Sequence, residues 1–256
     1  MSEHVRLERH GPVLNVTLAR PERRNAITIA MYAALAEAVE QASSDPSLRL
    51  LALRGEGPDF AAGNDLADFL DAPERGSEEI PVWRFLRALA TCETPIVAAV
   101  HGNCVGIGTT MLLHCDLVVA EEGVRFSLPF VDLGLVPEAA SSLLLPRIAG
   151  RRLAARYLLL AEPFGLEEAR SIGLVSHRAA AGELEATLNR IVGQLLAKPP
   201  QALRETQRLL RLGGRDEILE RMRLEGNAFA ERLKSAEVRE AISAFFEKRK
   251  PSFEES

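Results

Sequence analysis

The chain is poor in cysteine, in aromatic residues and in net charge. Its 256 residues include three cysteines, Cys92, Cys104 and Cys115, and no C-x-x-C pair. That excludes a disulfide scaffold and a cysteine-held zinc, and leaves three small buried side chains in a reducing compartment. The five histidines, His4, His10, His101, His114 and His177, form no local ligand cluster, so no metal site is expected. Aromatics make up 5% of the chain, and 31 basic residues face 36 acidic ones for a net charge of −5. A basic stripe with interleaved aromatics is missing, which argues against nucleic acid as a partner. No apolar run is long enough to span a bilayer and no apolar signal region follows Met1, so a cytoplasmic protein with no membrane partner is expected. The stretch G-I-G-T-T-M lacks the third glycine of a dinucleotide fingerprint, and no G-K-[ST] phosphate loop is present.

The chain is 47% hydrophobic, enough for one large domain or one domain plus an appendage. Val5–Leu7 and Val13–Leu18 flank His10-Gly11-Pro12 as a hairpin. Thr28 caps a helix to about Ser43, with Tyr32, Leu35, Ala36, Val39 and Ala42 on one face. Leu48–Leu53, Ile96–Val100 and Leu117–Ala120 read as buried strands. Trp83, Leu86, Leu89 and Ala90 mark a further amphipathic helix, and Thr109–Cys115 a buried one. Strands alternating with helices predict an α/β fold with parallel pairing. From about Gly182 onward the pattern is helical only, interrupted by Pro199-Pro200. The organisation expected is therefore an α/β body over residues 1–195 and a helical region over 196–256. The acidic, Pro- and Gly-containing segment from Asp68 to Pro81 reads as mobile.

Three segments carry candidate chemistry. In F-A-A-G-N-D-L (Phe60–Leu66), Gly63 lets the backbone approach a ligand or take a positive φ, and Asp65 is placed to cap a helix. In H-G-N-C-V-G-I-G-T-T (His101–Thr110), small residues pack a strand close to a helix start. The first reads as an ordinary capped turn or a ligand turn, the second as close packing of a buried helix or a ligand turn. Helix starts present unpaired N–H groups, and two aimed at one point could hold a developing oxyanion. The third segment, P-F-V-D-L-G-L-V-P-E-A-A-S-S (Pro129–Ser142), places Glu138 after an apolar run and Pro137, in what reads as the first turn of a helix. Burial there would raise its pKa, while the helix terminus would oppose that. Asp132 reads as polar decoration of a strand or extended loop, and Asp116 as a cap.

Taken together, these segments resemble the crotonase, or enoyl-CoA hydratase/isomerase, family over nearly the whole chain. L-A-R-P-E-R-R-N-A-I (Leu18–Ile27) is similar to that family's coenzyme A-binding turn, the two glycine-bearing turns to its oxyanion-hole segments, and F-F-E-K-R-K-P-S-F (Phe245–Phe253) to its C-terminal helix. The resemblance implies a spiral of ββα units with a helical C-terminal region. It implies homotrimers or dimers of trimers and an acyl-CoA thioester as ligand, with coenzyme A part of the substrate and no other cofactor. It would place the backbone N–H groups of Asn64 and Ile107 on the thioester oxygen. Arg23, Arg24, Ala26, Ala62, Asp65 and Leu66 would line the coenzyme A site, and Phe130, Val131 and Leu135 an apolar wall.

The acids depart from the hydratase pattern. Where hydratases of the family carry two glutamates, this chain has Thr110 and Phe130. V-P-E-A (Val136–Ala139) instead resembles the branch that moves a 3-enoyl double bond to the 2-position with one glutamate, here Glu138. Three readings stay open: a Δ3-Δ2-enoyl-CoA isomerase, a hydratase of an unusual acyl-CoA using Glu138 or Asp132, and a non-catalytic acyl-CoA binder. Lys248, Arg249 and Lys250 read either as a solvated helix end or as a contact for the ligand's phosphates.

Overall fold

The computed structural model describes residues 2–70 and 80–253. Two strands, β1 (Val5–His10) and β2 (Val13–Leu18), form the expected antiparallel hairpin. The helix α1 (Ile29–Ser44) follows, with Thr28 Oγ1 accepting from Met31 N at 3.2 Å as the cap. Next come β3 (Leu50–Gly55), the short helix α2 (Leu66–Leu70), α3 (Pro81–Thr91) and β4 (Ile96–Val100). The chain then makes β5 (Asn103–Val105), α4 (Ile107–Thr110), β6 (Leu117–Glu121) and β7 (Arg125–Ser127). It continues as α5 (Ser141–Leu159), kinked at Gly150, then β8 (Phe164–Gly165), α6 (Leu166–Ser171) and β9 (His177–Ala179). It closes with α7 (Leu184–Leu196), α8 (Pro200–Arg211), α9 (Arg215–Leu233) and α10 (Ala236–Glu247). Residues 71–79 of the segment read as mobile from sequence lie outside the described residues.

The large sheet has the order β1-β2-β3-β4-β6-β9 and is parallel beyond the first hairpin. Its interior strands are buried on both faces, as a parallel sheet requires. Ile96, Ala98 and Val100 of β4 enter the main core, while Val97 and Ala99 join Leu50, Ala52 and Val119 on the other face. That second face is covered by Leu184, Leu188 and Ile191 of α7.

A second ladder runs beside the large sheet. Its strands β5, β7 and β8 are extended by two single-residue bridges, Ala61 with Cys104 and Ile27 with Asn64. Each unit therefore sends one strand to the large sheet, one short extended piece to the small ladder, and a helix outside. The units are β2, Ile27, α1; then β3, Ala61 to Asn64, α2 and α3; then β4, β5, α4; then β6, β7, α5. This is the ββα spiral of the crotonase fold.

Four local readings are corrected. The span expected as a helix from Thr109 to Cys115 is the single α-turn α4 followed by a tighter 3-10 turn over Met111–His114. Glu138 is not in the first turn of α5. Ala139 and Ala140 both adopt left-handed backbone (φ 58° and 56°), and the helix begins only at Ser141. Asp132 sits in a 3-10 turn, Val131–Leu133, not in an extended stretch, and it is exposed. Asp116 caps no helix: it ties Ile96 N (2.8 Å) to Gln207 and Arg211 of α8.

Leu188 is fully buried between α7 and the sheet. Leu188→Ala should lower unfolding free energy by about 2–5 kcal/mol, read as a lower denaturant midpoint at unchanged m-value.

Candidate active site

Two turns are stitched together before any side chain is considered. Ile27 N donates to Gly63 O (2.8 Å), Asp65 N to Ile27 O (3.0 Å) and Ala62 N to Arg24 O (2.9 Å). Val105 N donates to Ala61 O at 2.9 Å, and Gly108 packs so tightly that a Cβ there would lie 2.9 Å from Ala61 Cβ. Gly106, just before α4, has φ 53° and ψ −117°, backbone that only glycine adopts readily. The bonds to Ile27 turn the N–H of Asn64 away from that partner. Neither Asn64 N–H nor Ile107 N–H has an acceptor among the described residues. Two free donors thus start two adjacent turns.

The arginine turn joins the same cluster. Arg20 Nη1 donates to Asp65 Oδ2 (2.6 Å), and buried Asn25 ties Arg20 N to the carbonyls of Glu56 and Asp59. Asp65 Oδ1 accepts from Ala67 N (3.1 Å), which confirms it as the cap of α2. Arg23 and Arg24 are exposed, the Arg24 side chain to 71%. Arg23, Arg24, Ala26, Ala62, Asp65 and Leu66 therefore lie along one stitched edge.

Glu138 reaches the same place from the other side. It is 8% exposed and accepts a 2.5 Å hydrogen bond at Oε1 from the hydroxyl of Thr110, the last residue of α4. The turn behind it is held at several points. His114 Nε2 bonds Ala139 O (2.8 Å), and Ser141 Oγ donates to Glu138 O (2.6 Å). Glu225 of α9 accepts from Ala140 N (2.6 Å) and Ser142 N (2.9 Å). The start of α5 is thus capped by Glu225, not by the Pro137-Glu138 pair.

A cleft partly open to solvent has Asn64 and Glu138 in its wall. The rest of its described lining is apolar and, Ile80 and Ala139 aside, comes from two helices, with Val82, Trp83 and Leu86 of α3 facing Met222, Phe229 and Leu233 of α9. Gly226 of α9 packs against the Trp83 side chain, where any Cβ would overlap the ring. The expected wall of Phe130, Val131 and Leu135 is displaced. Phe130 and Leu135 are buried in the main core and line no part of this cleft. Ile107 likewise sends its side chain into the core, leaving only its backbone for the site.

The electrostatics follow from burial. Desolvation is the largest influence on Glu138. The Thr110 hydroxyl opposes it, Glu225 reinforces it, and the pKa is raised to about 8. At neutral pH the carboxyl is mostly protonated. Burial lowers His114 to about 4, so it is a neutral donor to Ala139 O. Sequence reasoning missed Thr110 as a partner of Glu138, Glu225 as the cap, and α3 with α9 as the walls. No periodicity signals contacts between residues as distant as Thr110, Glu138 and Glu225. Among the described residues no group of three His, Cys, Asp or Glu could hold a metal ion, and no helix is long and apolar enough to cross a membrane.

A carboxyl raised on folding destabilises the protein as pH rises. The cost is absent below about 4.5, the ordinary glutamate value, grows through the interval, and is complete above about 8. Glu138→Gln removes it. Relative to wild type, the variant should gain on the order of 5 kcal/mol between pH 4 and pH 9, read from denaturant titrations at each pH. The His114 contribution, which falls as pH drops through 6.5 toward 4, is common to both proteins and cancels.

The sequence profile described as Enoyl-CoA hydratase/isomerase matches residues 8–256. The chain is 33% identical over 247 residues to 1,2-epoxyphenylacetyl-CoA isomerase of Escherichia coli K12, covering 94% of each chain. It is 30% identical over 257 residues to crotonyl-CoA hydratase of Syntrophomonas wolfei, covering 98% of each. Among solved structures, an enoyl-CoA hydratase/isomerase from Pseudoalteromonas atlantica T6c superposes with a TM-score of 0.92 at 42% identity, over 98% of this chain and 100% of that one. Fold, motifs and relatives agree: the chain belongs to the enoyl-CoA hydratase/isomerase family.

Proposed function

We propose that the protein is a Δ3-Δ2-enoyl-CoA isomerase in which Glu138 alone carries the proton. The observation that carries this reading is that Glu138 is buried and is the one carboxyl in the described lining of an apolar cleft, with the hydroxyl of Thr110 on it. Glu138 takes a proton from C2 of a 3-enoyl thioester. The negative charge moves to the thioester oxygen, and the C3–C4 electrons delocalise as the dienolate. Glu138, now protonated, returns the proton to C4, leaving a 2-enoyl thioester. Atoms and charge balance without a cofactor, since coenzyme A travels with the substrate.

The unpartnered N–H groups of Asn64 and Ile107 support an oxyanion role, in which each donor is worth about 3–4 kcal/mol of barrier. The pKa near 8 suits a group that must accept and then give a proton near neutrality. Trp83, Leu86, Met222 and Phe229 would keep water from the intermediate. The exposed Arg23 and Arg24, with Ala26, Ala62, Asp65 and Leu66, are the coenzyme A edge in this reading. Arg249 is already engaged by Glu240 and Glu247, which favours a helix-end role for the Lys248–Lys250 cluster over phosphate contact. The exposed Leu159, Leu160, Leu209, Leu210 and Leu212 suit a trimer or dimer of trimers in the cytoplasm, the setting we assign it.

On a 3-enoyl-CoA, Glu138→Gln should lower kcat by about a hundred- to ten-thousandfold, because the amide keeps the shape and cannot take the proton. Wild-type kcat/KM should rise about tenfold per pH unit and level off above about 8. A 3-hydroxyacyl product would instead establish a hydratase, and tight binding without turnover a non-catalytic member.

A further inference from the structure

We propose that Glu225 is a positioning residue for the proton shuttle, clamping from α9 the left-handed turn that aims the Glu138 carboxyl into the cleft; this rests on the isomerase reading. The geometry is specific. Ala139 and Ala140 hold φ near 58° and 56°, a conformation that side-chain-bearing residues leave unless something fixes them. Glu225 supplies the fixing contacts, spanning the turn with one oxygen on Ala140 N (2.6 Å) and the other on Ser142 N (2.9 Å). The carboxylate is buried, 6% exposed, and does not line the cleft. It therefore acts through the turn, not on substrate.

An ordinary cap would come from the residue just before the helix. Here Ala140 occupies that position and offers no side-chain acceptor, so the acid arrives from a helix eighty-five residues away. The same helix carries Met222, Gly226 and Phe229 on the cleft. One rigid element thus holds both the wall against the substrate's acyl end and the seat of the base. A shift of α9 moves both.

The charged and titratable groups around this turn come from three elements. Thr110 of α4 bonds the Glu138 carboxyl, and His114 of the following 3-10 turn bonds Ala139 O. From α9, Arg221 Nη1 donates to Ser142 Oγ (3.2 Å) beside Glu225. Of these, Glu225 is the group whose charge opposes ionisation of Glu138.

The test uses full-length Glu225→Gln and Glu225→Asp. The Gln variant keeps the shape, loses the charge and loses one of two acceptors. The Asp variant keeps the charge but is one methylene too short to span both amides. Carboxyl titrations by 13C NMR on glutamate-labelled protein, assigned with Glu138→Gln, report Glu138 without any substrate. The Gln variant should bring its midpoint down from about 8 by half a pH unit or more. The Asp variant should leave the midpoint within a few tenths of a unit. Both should lower kcat on a 3-enoyl-CoA at least tenfold, measured above the midpoint, with KM changed less than threefold. An unmoved midpoint in Gln with kcat within twofold of wild type in both would overturn the proposal. So would loss of the fold in both variants, which would make Glu225 a structural cap only. If wild type does not isomerise the substrate, the isomerase reading fails by itself, and the NMR shift still decides whether Glu225 governs Glu138.

Discussion

The site depends on one constraint: a carboxyl is buried with, among the described residues, a single hydrogen-bond donor on it. Thr110 supplies that donor, and the apolar faces of α3 and α9 supply the dry surroundings. A glutamate so placed does not stay ionised at neutral pH, because the protein offers its charge too little in exchange for lost hydration. Folding bears this cost, and the rest of the molecule must be stable enough to carry it. The large sheet, buried on both faces, supplies that reserve.

The scaffold delivers the parts to one point by a repeated device. Each unit drops a strand of a few residues into the small ladder before its helix begins. The ladder thereby sets Ile27, the Ala61–Asn64 turn and β5 side by side. Helix starts that follow such neighbours are adjacent by construction, so the turns that carry the unpaired N–H groups of Asn64 and Ile107 are neighbours without any side chain to bring them together. The glycines serve this arrangement at two places: Gly106 for a backbone shape closed to other residues, and Gly108 for contact with Ala61. Glu138 comes from a later unit and is aimed by a turn that α9 clamps, so the helical region is part of the site.

Much of this was legible in the sequence. The hairpin, α1 and the buried strands announced themselves by periodicity and by the Thr28 cap. Glycine-bearing turns that open a helix marked both segments, and the order of four motifs marked the family. What the sequence hid was of two kinds. Strands of two or three residues, β5, β7, β8 and β9, are too short to show alternation. Contacts across the chain left no local trace: Pro137-Glu138 reads as a helix start because proline and an acid favour one, yet Glu225 occupies that role and Glu138 is freed for the cleft. Phe130 and Leu135 are apolar and near Glu138 in sequence, but the backbone sends them to the core and leaves the cleft to α3 and α9.

The central claim, that one secluded carboxyl both removes and returns the proton, is tested most directly by following that proton. A 3-enoyl-CoA carrying two deuterons at C2 is converted in ordinary water, and the product is analysed by mass spectrometry and NMR. The account predicts a 2-enoyl thioester with one deuteron left at C2 and deuterium transferred to C4 in a measurable fraction of molecules, since the group that accepted it is shielded from exchange. A product with no deuterium at C4, or one that has gained a hydroxyl group, would contradict it.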